Sequence, residues 1–234
     1  MQSSPIRLII IVISLYTFAN YSISNDSVAF ASTDIEFTNV CIDITQCEKL
    51  AVDWWKWAYG STNENNPILD TKGVNCASGQ TGSTWFLAGF FETNYQIVRD
   101  CTIPSDKIIF FPIINSECNY LDFPSLETDQ ELIECAKQAQ DKATNLVATL
   151  NGTELPHVRV VTDIFNFTIP TDSPIFLNTN PGTYESAGNG AFVGIEGLKQ
   201  GNYKLKFSGT SLPLPGSADI NPFSQDITYN LRIE

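Results

Sequence analysis

Six cysteines, Cys41, Cys47, Cys76, Cys101, Cys118 and Cys135, limit what this chain can become. An even count behind an export leader argues for disulfides. Residues 1–31 read as such a leader. Arg7 supplies the positive start, Leu8 to Phe18 the apolar core, and Ala29-Phe30-Ala31 a small-x-small cleavage site. The apolar run is about half of what a bilayer span needs, so a cleaved signal peptide is expected rather than an anchor. No cysteine directly follows the cleavage site, and Leu231 to Glu234 is not an apolar tail. The mature protein is expected to be secreted, extracellular or at the cell surface, with no transmembrane span after cleavage. Residues 32–234 carry no linker, charge run or internal repeat, so one secreted β-rich domain is expected. The three sequential pairs, Cys41–Cys47, Cys76–Cys101 and Cys118–Cys135, are one connectivity among many, and sequence alone does not choose.

The net charge of −13 repels phosphate backbones and disfavours nucleic acid as a partner. An acidic surface either attracts cations or simply keeps an exported protein soluble. There is no C-x-x-C pair, and one histidine cannot complete a usual zinc site, so neither metal nor cofactor is expected. Asn151-Gly-Thr153 and Asn166-Phe-Thr168 are glycosylation sequons, used only in a host that modifies exported proteins this way.

Taken in order, Ile35 and Phe37 alternate with polar neighbours across Ser32 to Val40, a short strand pattern. Thr45-Gln-Cys-Glu48 has the form of a capping box and predicts a helix ending at Gly60. Leu50, Trp54, Trp57 and Ala58 share one face of it, with Trp55 elsewhere. Asn63 to Pro67 and Lys72-Gly73 read as loop and turn. Thr84 to Phe91 predicts a buried strand with Tyr95 to Arg99 as its hairpin partner. Lys107 to Asn115 predicts a second apolar strand, where Pro112 implies an edge, a bulge or an early end. Thr128-Asp-Gln-Glu131 caps a second helix, which the spacing of Leu132, Ala136, Ala139, Ala143, Leu146 and Leu150 carries to Asn151-Gly152. From His157 onward the pattern is strand: Val158 to Phe167, Pro174 to Asn178, Ala191 to Ile195, Tyr203 to Phe207 and Ile227 to Ile233. Asn180-Pro-Gly182, Gly188-Asn-Gly190, Leu198 to Gly201 and Pro213 to Gly216 separate them as turns and loops. The class expected is mainly β (α+β), a disulfide-stapled, jelly-roll-like β-sandwich with two helices.

Trp54-Trp55-Lys56-Trp57, Asn66-Pro67-Ile68-Leu69-Asp70, Cys76 to Gly89, Cys101 to Pro104 and Phe110 to Asn115 together follow a W-W-x-W … N-P-x-x-D … C-x-x-G-Q-x-G-x-x-W-F-L-A-G … C-x-I-P … F-F-P-x-x-N pattern. In this the chain resembles a family of uncharacterised secreted bacterial and archaeal proteins. The resemblance continues through Asn115-Ser-Glu-Cys118, Glu131-Leu132 with Cys135, and a closing hairpin from Gly201 to Ile233. It implies an exported protein and a Cys76–Cys101 bond, and brings no reaction or ligand with it.

The chemistry on offer is sparse. His157 reads as a solvated strand-end histidine beside Arg159. There is no G-x-S-x-G elbow, phosphate loop or dinucleotide fingerprint. Asp53 and Asp70 flank the aromatic stretch as glycosidase carboxylates would, but with 26 acidic residues such a placement is expected by chance. Asp70, near Asn66 and Gln80, could equally hold a loop by accepting backbone hydrogen bonds. The ligand-binding candidates are therefore Trp55, Tyr59, Asp70 and Gln80, with Trp55 and Tyr59 the two aromatics free to face outward. The expected function is a non-enzymatic binding or structural domain. Its rivals are a carbohydrate-binding module for a cell-surface glycan, a self-associating subunit that donates its Ser32 to Val40 strand, and a carboxylate-dependent hydrolase.

Overall fold

Fifteen consecutive residues, Gly182–Glu196 (β9), form the longest strand and the axis of one of two sheets. The computed structural model describes residues 35–62, 65–93, 95–213 and 221–234. The expected leader, Ser32 to Asp34 and most of the Pro213 to Gly216 loop lie outside the described residues. One edge of β9 pairs antiparallel with Ile108–Asn119 (β4), and β4 pairs in parallel with Thr84–Phe86 (β2). Three short strands lie end to end along the other edge: Phe165–Ile169 (β8), Val158–Val161 (β7) and Thr38–Asn39 (β1). The second sheet runs Gln96–Ile103 (β3), Phe223–Ile233 (β11), Gly201–Ser211 (β10), Ala143–Leu150 (β5) and Thr153–Glu154 (β6). The helices are Ile44–Gly60 (α1), preceded by a 3-10 turn at Val40–Ile42, and Asp129–Gln140 (α2). This is a β-sandwich of two mixed sheets with two helices and three disulfides.

Burial explains the sequence pattern of each sheet. The first sheet is covered twice, by the second sheet on one face and by α1 on the other. Ile109, Phe111 and Val193 face the second sheet, with Phe111 stacked on Phe207 at 4.8 Å. Phe110 and Phe192 stack at 5.2 Å on the α1 side, in the cluster that holds all three tryptophans of that helix. A doubly covered strand has no polar face, so β4 and β9 read as continuous apolar or small runs. The second sheet has one wet face, and β3 accordingly alternates strictly between exposed and buried.

All three sequential disulfides are present. Cys41–Cys47 closes the 3-10 turn onto α1, Cys76–Cys101 ties an irregular loop to β3, and Cys118–Cys135 ties α2 to the end of β4. α2 starts at the expected Thr128/Glu131 capping box. The closing hairpin pairs Gly201 with Ile233 through Ser211 with Phe223. At Pro112 the register shifts by a bulge and β4 runs on to Asn119, as a strand must when proline withholds its amide.

Several local readings are corrected. α2 stops at Gln140, and Ala143 to Leu150 is strand β5, not helix. Leu146, Ala148 and Leu150 fit a period of two as well as a helical one, and β-branched Val147 and Thr149 alternate with them. β10 supplies the ladder that decides it. Asn151-Gly152, with φ of 49° and 85°, turns the β5–β6 hairpin instead of capping a helix. The α1 cap is Asp43, which accepts the Thr45 and Gln46 amides, while Glu48 accepts from the Asp163 amide across the interface. Tyr95 to Arg99 does not hairpin with Thr84 to Phe91: β2 and β3 lie in different sheets, each in a parallel pair. Pro174 to Asn178 is turn, and Phe176 packs on Tyr59 with centroids 4.9 Å apart. Gly188-Asn-Gly190 lies inside β9. Glycine serves there because of close approach: a Cβ on Gly188 would sit 2.6 Å from Trp55 Nε1, and one on Gly190 2.6 Å from Asn115 Cβ. The N-terminal strand reading survives only as β1, and it pairs within its own chain.

Gly188→Ala is expected to lower unfolding free energy by about 1–3 kcal/mol in urea denaturation, through overpacking against Trp55. Gly60→Ala meets nothing within 4 Å and is expected to raise it by up to about 1 kcal/mol.

Candidate functional site

Residues 65–83 contain no α-helix or strand, yet they are firmly held. Trp57 Nε1 donates to Ser78 O, and Trp54 Nε1 donates to Leu87 O, each at 2.9 Å. Buried Asn66 donates to Ala58 O and Ser61 O and accepts the Ile68 amide. Asp70 accepts the amides of Lys72, Gly73 and Asn75 at 2.7–2.9 Å. Gln80 donates to Cys76 O and Phe86 O and accepts the Phe86 amide. These bonds commit Asp70 and Gln80 to loop structure, and neither reaches the cleft described next.

The deeper constraint is Arg99, which is 1% exposed and has no carboxylate partner among the described residues. Its Nε donates to Asp70 O at 2.7 Å and its Nη2 to Gly89 O at 2.9 Å. Its Nη1 donates to Ala88 O and to Tyr229 Oη, and the guanidinium lies 5.4 Å from the Tyr229 ring centre. Gln225 completes the frame. Its Oε1 accepts the Phe90 amide, and its Nε2 donates to Ile113 O, a carbonyl at the β4 bulge.

Between this frame, α1 and β4 opens a cleft of about 470 Å³. Trp54, Trp55 and Tyr59 wall it from the helix, and Phe90 and Phe91 from the loop. Asn115, Ser116 and Glu117 line its β4 side, and they are the only positions of β4 that are not fully buried. Trp55 and Tyr59 are not an exposed platform: they are 5% and 8% exposed, in the aromatic cluster between α1 and the first sheet. Their rings meet at 5.1 Å, and Tyr59 packs on Phe167 and Phe176. Phe91 is the exposed aromatic at the rim.

Glu117 is the chemically distinctive group. Its Oε1 accepts from Tyr59 Oη at 3.0 Å and Asn119 Nδ2 at 2.9 Å, and its Oε2 accepts from Ser186 Oγ. Burial pushes its carboxyl up from the ordinary range to about 7. The hydrogen bonds from Ser186, Tyr59 and Asn119 oppose that rise, and the nearby Asp122 charge adds to it. Burial likewise pushes the Tyr59 hydroxyl well above its ordinary value, with Glu117 reinforcing the shift. No Lys, Arg or His nitrogen lies within ion-pair distance of Glu117 among the described residues. Two donors beside it, Trp55 Nε1 and Asn115 Nδ2, are buried without a hydrogen-bond partner.

Asp53 and Asp70 are not brought together. Asp53 is exposed on α1 and lines a different surface depression with Lys56 and Asp163, while Asp70 is buried in its own loop. His157 is exposed at the start of β7. Both sequon asparagines are exposed, Asn151 on the β5–β6 turn and Asn166 on β8. No cluster of three metal-ligating side chains, and no helix long and apolar enough to cross a membrane, occurs among the described residues. Glu117 escaped a residue-by-residue reading, although a carboxylate closing the apolar run Ile108 to Asn115 is its signal.

No family model matches the chain, and no curated protein does. The solution structure of amebosin is similar at 11% identity over 65% of this chain and 100% of that one, with a TM-score of 0.18, too low to carry any argument.

The Glu117 shift has a sign. The folded carboxyl holds its proton to higher pH than the unfolded one. Its share of stability is complete below the ordinary value of 4.5 and is lost as pH rises through about 7. Relative to Glu117→Gln, the native protein is expected to lose roughly 2–3 kcal/mol of unfolding free energy from pH 4.5 to pH 8 in urea titrations. Parallel curves would contradict the assignment.

Proposed function

We propose that this chain is a secreted, extracellular binding domain whose site is the aromatic cleft beside Glu117, and that it belongs with the exported proteins its central motifs resemble. One observation carries the reading. The only break in the buried length of β4 is the run Asn115, Ser116 and Glu117, and it opens onto that cleft. A mostly apolar cleft with a few convergent polar groups is the usual form of a small-ligand site. The three disulfides, with no exposed free thiol among the described residues, suit an oxidising compartment. Binding is favoured over hydrolysis because Glu117 has no buried second carboxylate beside it among the described residues: Asp122, its acidic neighbour, is exposed. The tryptophan platform for glycans gives way to a ligand enclosed between α1 and β4.

The test is a small-fragment screen by NMR on the oxidised protein, following the indole and backbone signals of Trp54, Trp55 and Glu117. Hits are expected to shift these signals saturably and to lose binding in Ser116→Leu, which fills the cleft from its wall. Hits scattered over the surface, or unaffected by Ser116→Leu, would count against the cleft as the site.

A further inference from the structure

The ligand class follows from how Glu117 is held, and this step rests on the cleft being the binding site. A carboxylate offers about four acceptor positions. Tyr59, Asn119 and Ser186 already take three on Glu117, fixing both oxygens from α1, β4 and β9. Little directional capacity remains for a sugar hydroxyl. What remains is charge. Among the described residues no Lys, Arg or His nitrogen faces that charge from any packed element, and the ionisable groups that act on it are Asp122 and Tyr59. Around it stand the electron-rich rings of Trp54, Trp55, Tyr59, Phe90 and Phe91. Aromatic rings attract cations through their quadrupoles, and a desolvated site strengthens the attraction. The chain's −13 net charge adds a long-range pull of the same sign.

We infer that the cleft recognises an organic cation of the quaternary ammonium type, with the ammonium between the aromatic walls and Glu117. Such a group has no N–H to donate, so it loses nothing to a carboxylate whose acceptor positions are occupied. The unpartnered amide of Asn115, also on the cleft wall, is a donor suited to an oxygen elsewhere on the same ligand.

The experiment is isothermal titration of the oxidised native protein with choline, with glycine betaine, with the uncharged carbon isostere of choline, and with neutral mono- and disaccharides. A quaternary ammonium is expected to bind at least about tenfold tighter than its isostere. Its affinity should rise up to about tenfold from pH 6 to pH 8, because the probe's charge is fixed and Glu117 must release its proton. Glu117→Gln should remove the pH dependence and weaken, without abolishing, the preference over the isostere. The isostere comparison and the pH dependence use the native protein, so a poorly folding variant does not blunt the test. Equal binding of the isostere, or binding of saccharides alone, would overturn the cation inference while leaving the cleft as a site. No saturable binding of either ammonium at about 10 mM would overturn it too. The fragment screen then decides separately whether the cleft binds anything.

Discussion

A buried guanidinium with no counter-ion among the described residues holds the cleft-bearing half of this molecule together. Taking a charge out of water is costly unless hydrogen bonds replace its hydration. Arg99 finds them in Asp70 O, Ala88 O, Gly89 O and the Tyr229 hydroxyl. Three of these acceptors are main-chain carbonyls in segments with no ladder of their own. Each party therefore satisfies a need of the other: the loops quench the charge, and the charge fixes the loops. The Cys76–Cys101 bond acts in the same place, two residues along β3 from Arg99. The Asp70 carboxylate, meanwhile, folds its own loop by accepting three amides.

The cleft follows from this arrangement. The first sheet is sealed by the second sheet on one face and by α1 on the other, but the β4 bulge at Pro112 to Ile114 changes which residues meet the helix. Beyond it, polar Asn115 and Glu117 take positions that large apolar groups held before. Gln225 absorbs the Ile113 carbonyl and holds the Phe90 segment against the gap. On the β9 side, Gly188 and Gly190 let Trp55 and Asn115 come close, so the helix seats deeply and its aromatic rings become cleft walls. The same compaction desolvates Glu117 while Tyr59, Asn119 and Ser186 keep it in one orientation. An acidic side chain in that setting is poised between its two protonation states near neutral pH.

Most of the architecture was legible in the sequence, because it rests on strong local signals. The even cysteine count behind a leader-like start pointed to staples, the Thr128/Glu131 capping box to α2, and the alternation in Tyr203 to Phe207 and Ile227 to Ile233 to two strands. The errors came where one pattern serves two structures. Leu146 to Leu150 fits a helix or a strand until β10 is known to lie alongside. Asn151-Gly152 suits a helix end or a hairpin turn. Gly188-Asn-Gly190 looks like a loop until the indole packed on it is seen. The candidate site, the aromatic cleft, was the least legible part. Trp55 and Tyr59 belong to it, but as walls and not as an exposed platform. Asp70 and Gln80 hold the loop and lie outside the cleft. Glu117 gains its character from burial among long-range partners such as Tyr59 and Ser186, 58 and 69 residues away, and no local pattern carries that information.

The most direct test of this account is native-state hydrogen exchange on Arg99→Met, which keeps side-chain length and apolar contact but removes the charge and its donors. The variant should lose at least about 3 kcal/mol of stability, since buried carbonyls are left unpaired. The loss should be uneven. Amides of Lys72, Gly73, Ala88 and Phe90 should exchange far faster than before, while the β4–β9 and β10–β11 ladders quicken only in step with the loss of global stability. Unchanged stability, or faster exchange spread evenly through both sheets, would show that Arg99 does not hold the cleft's frame.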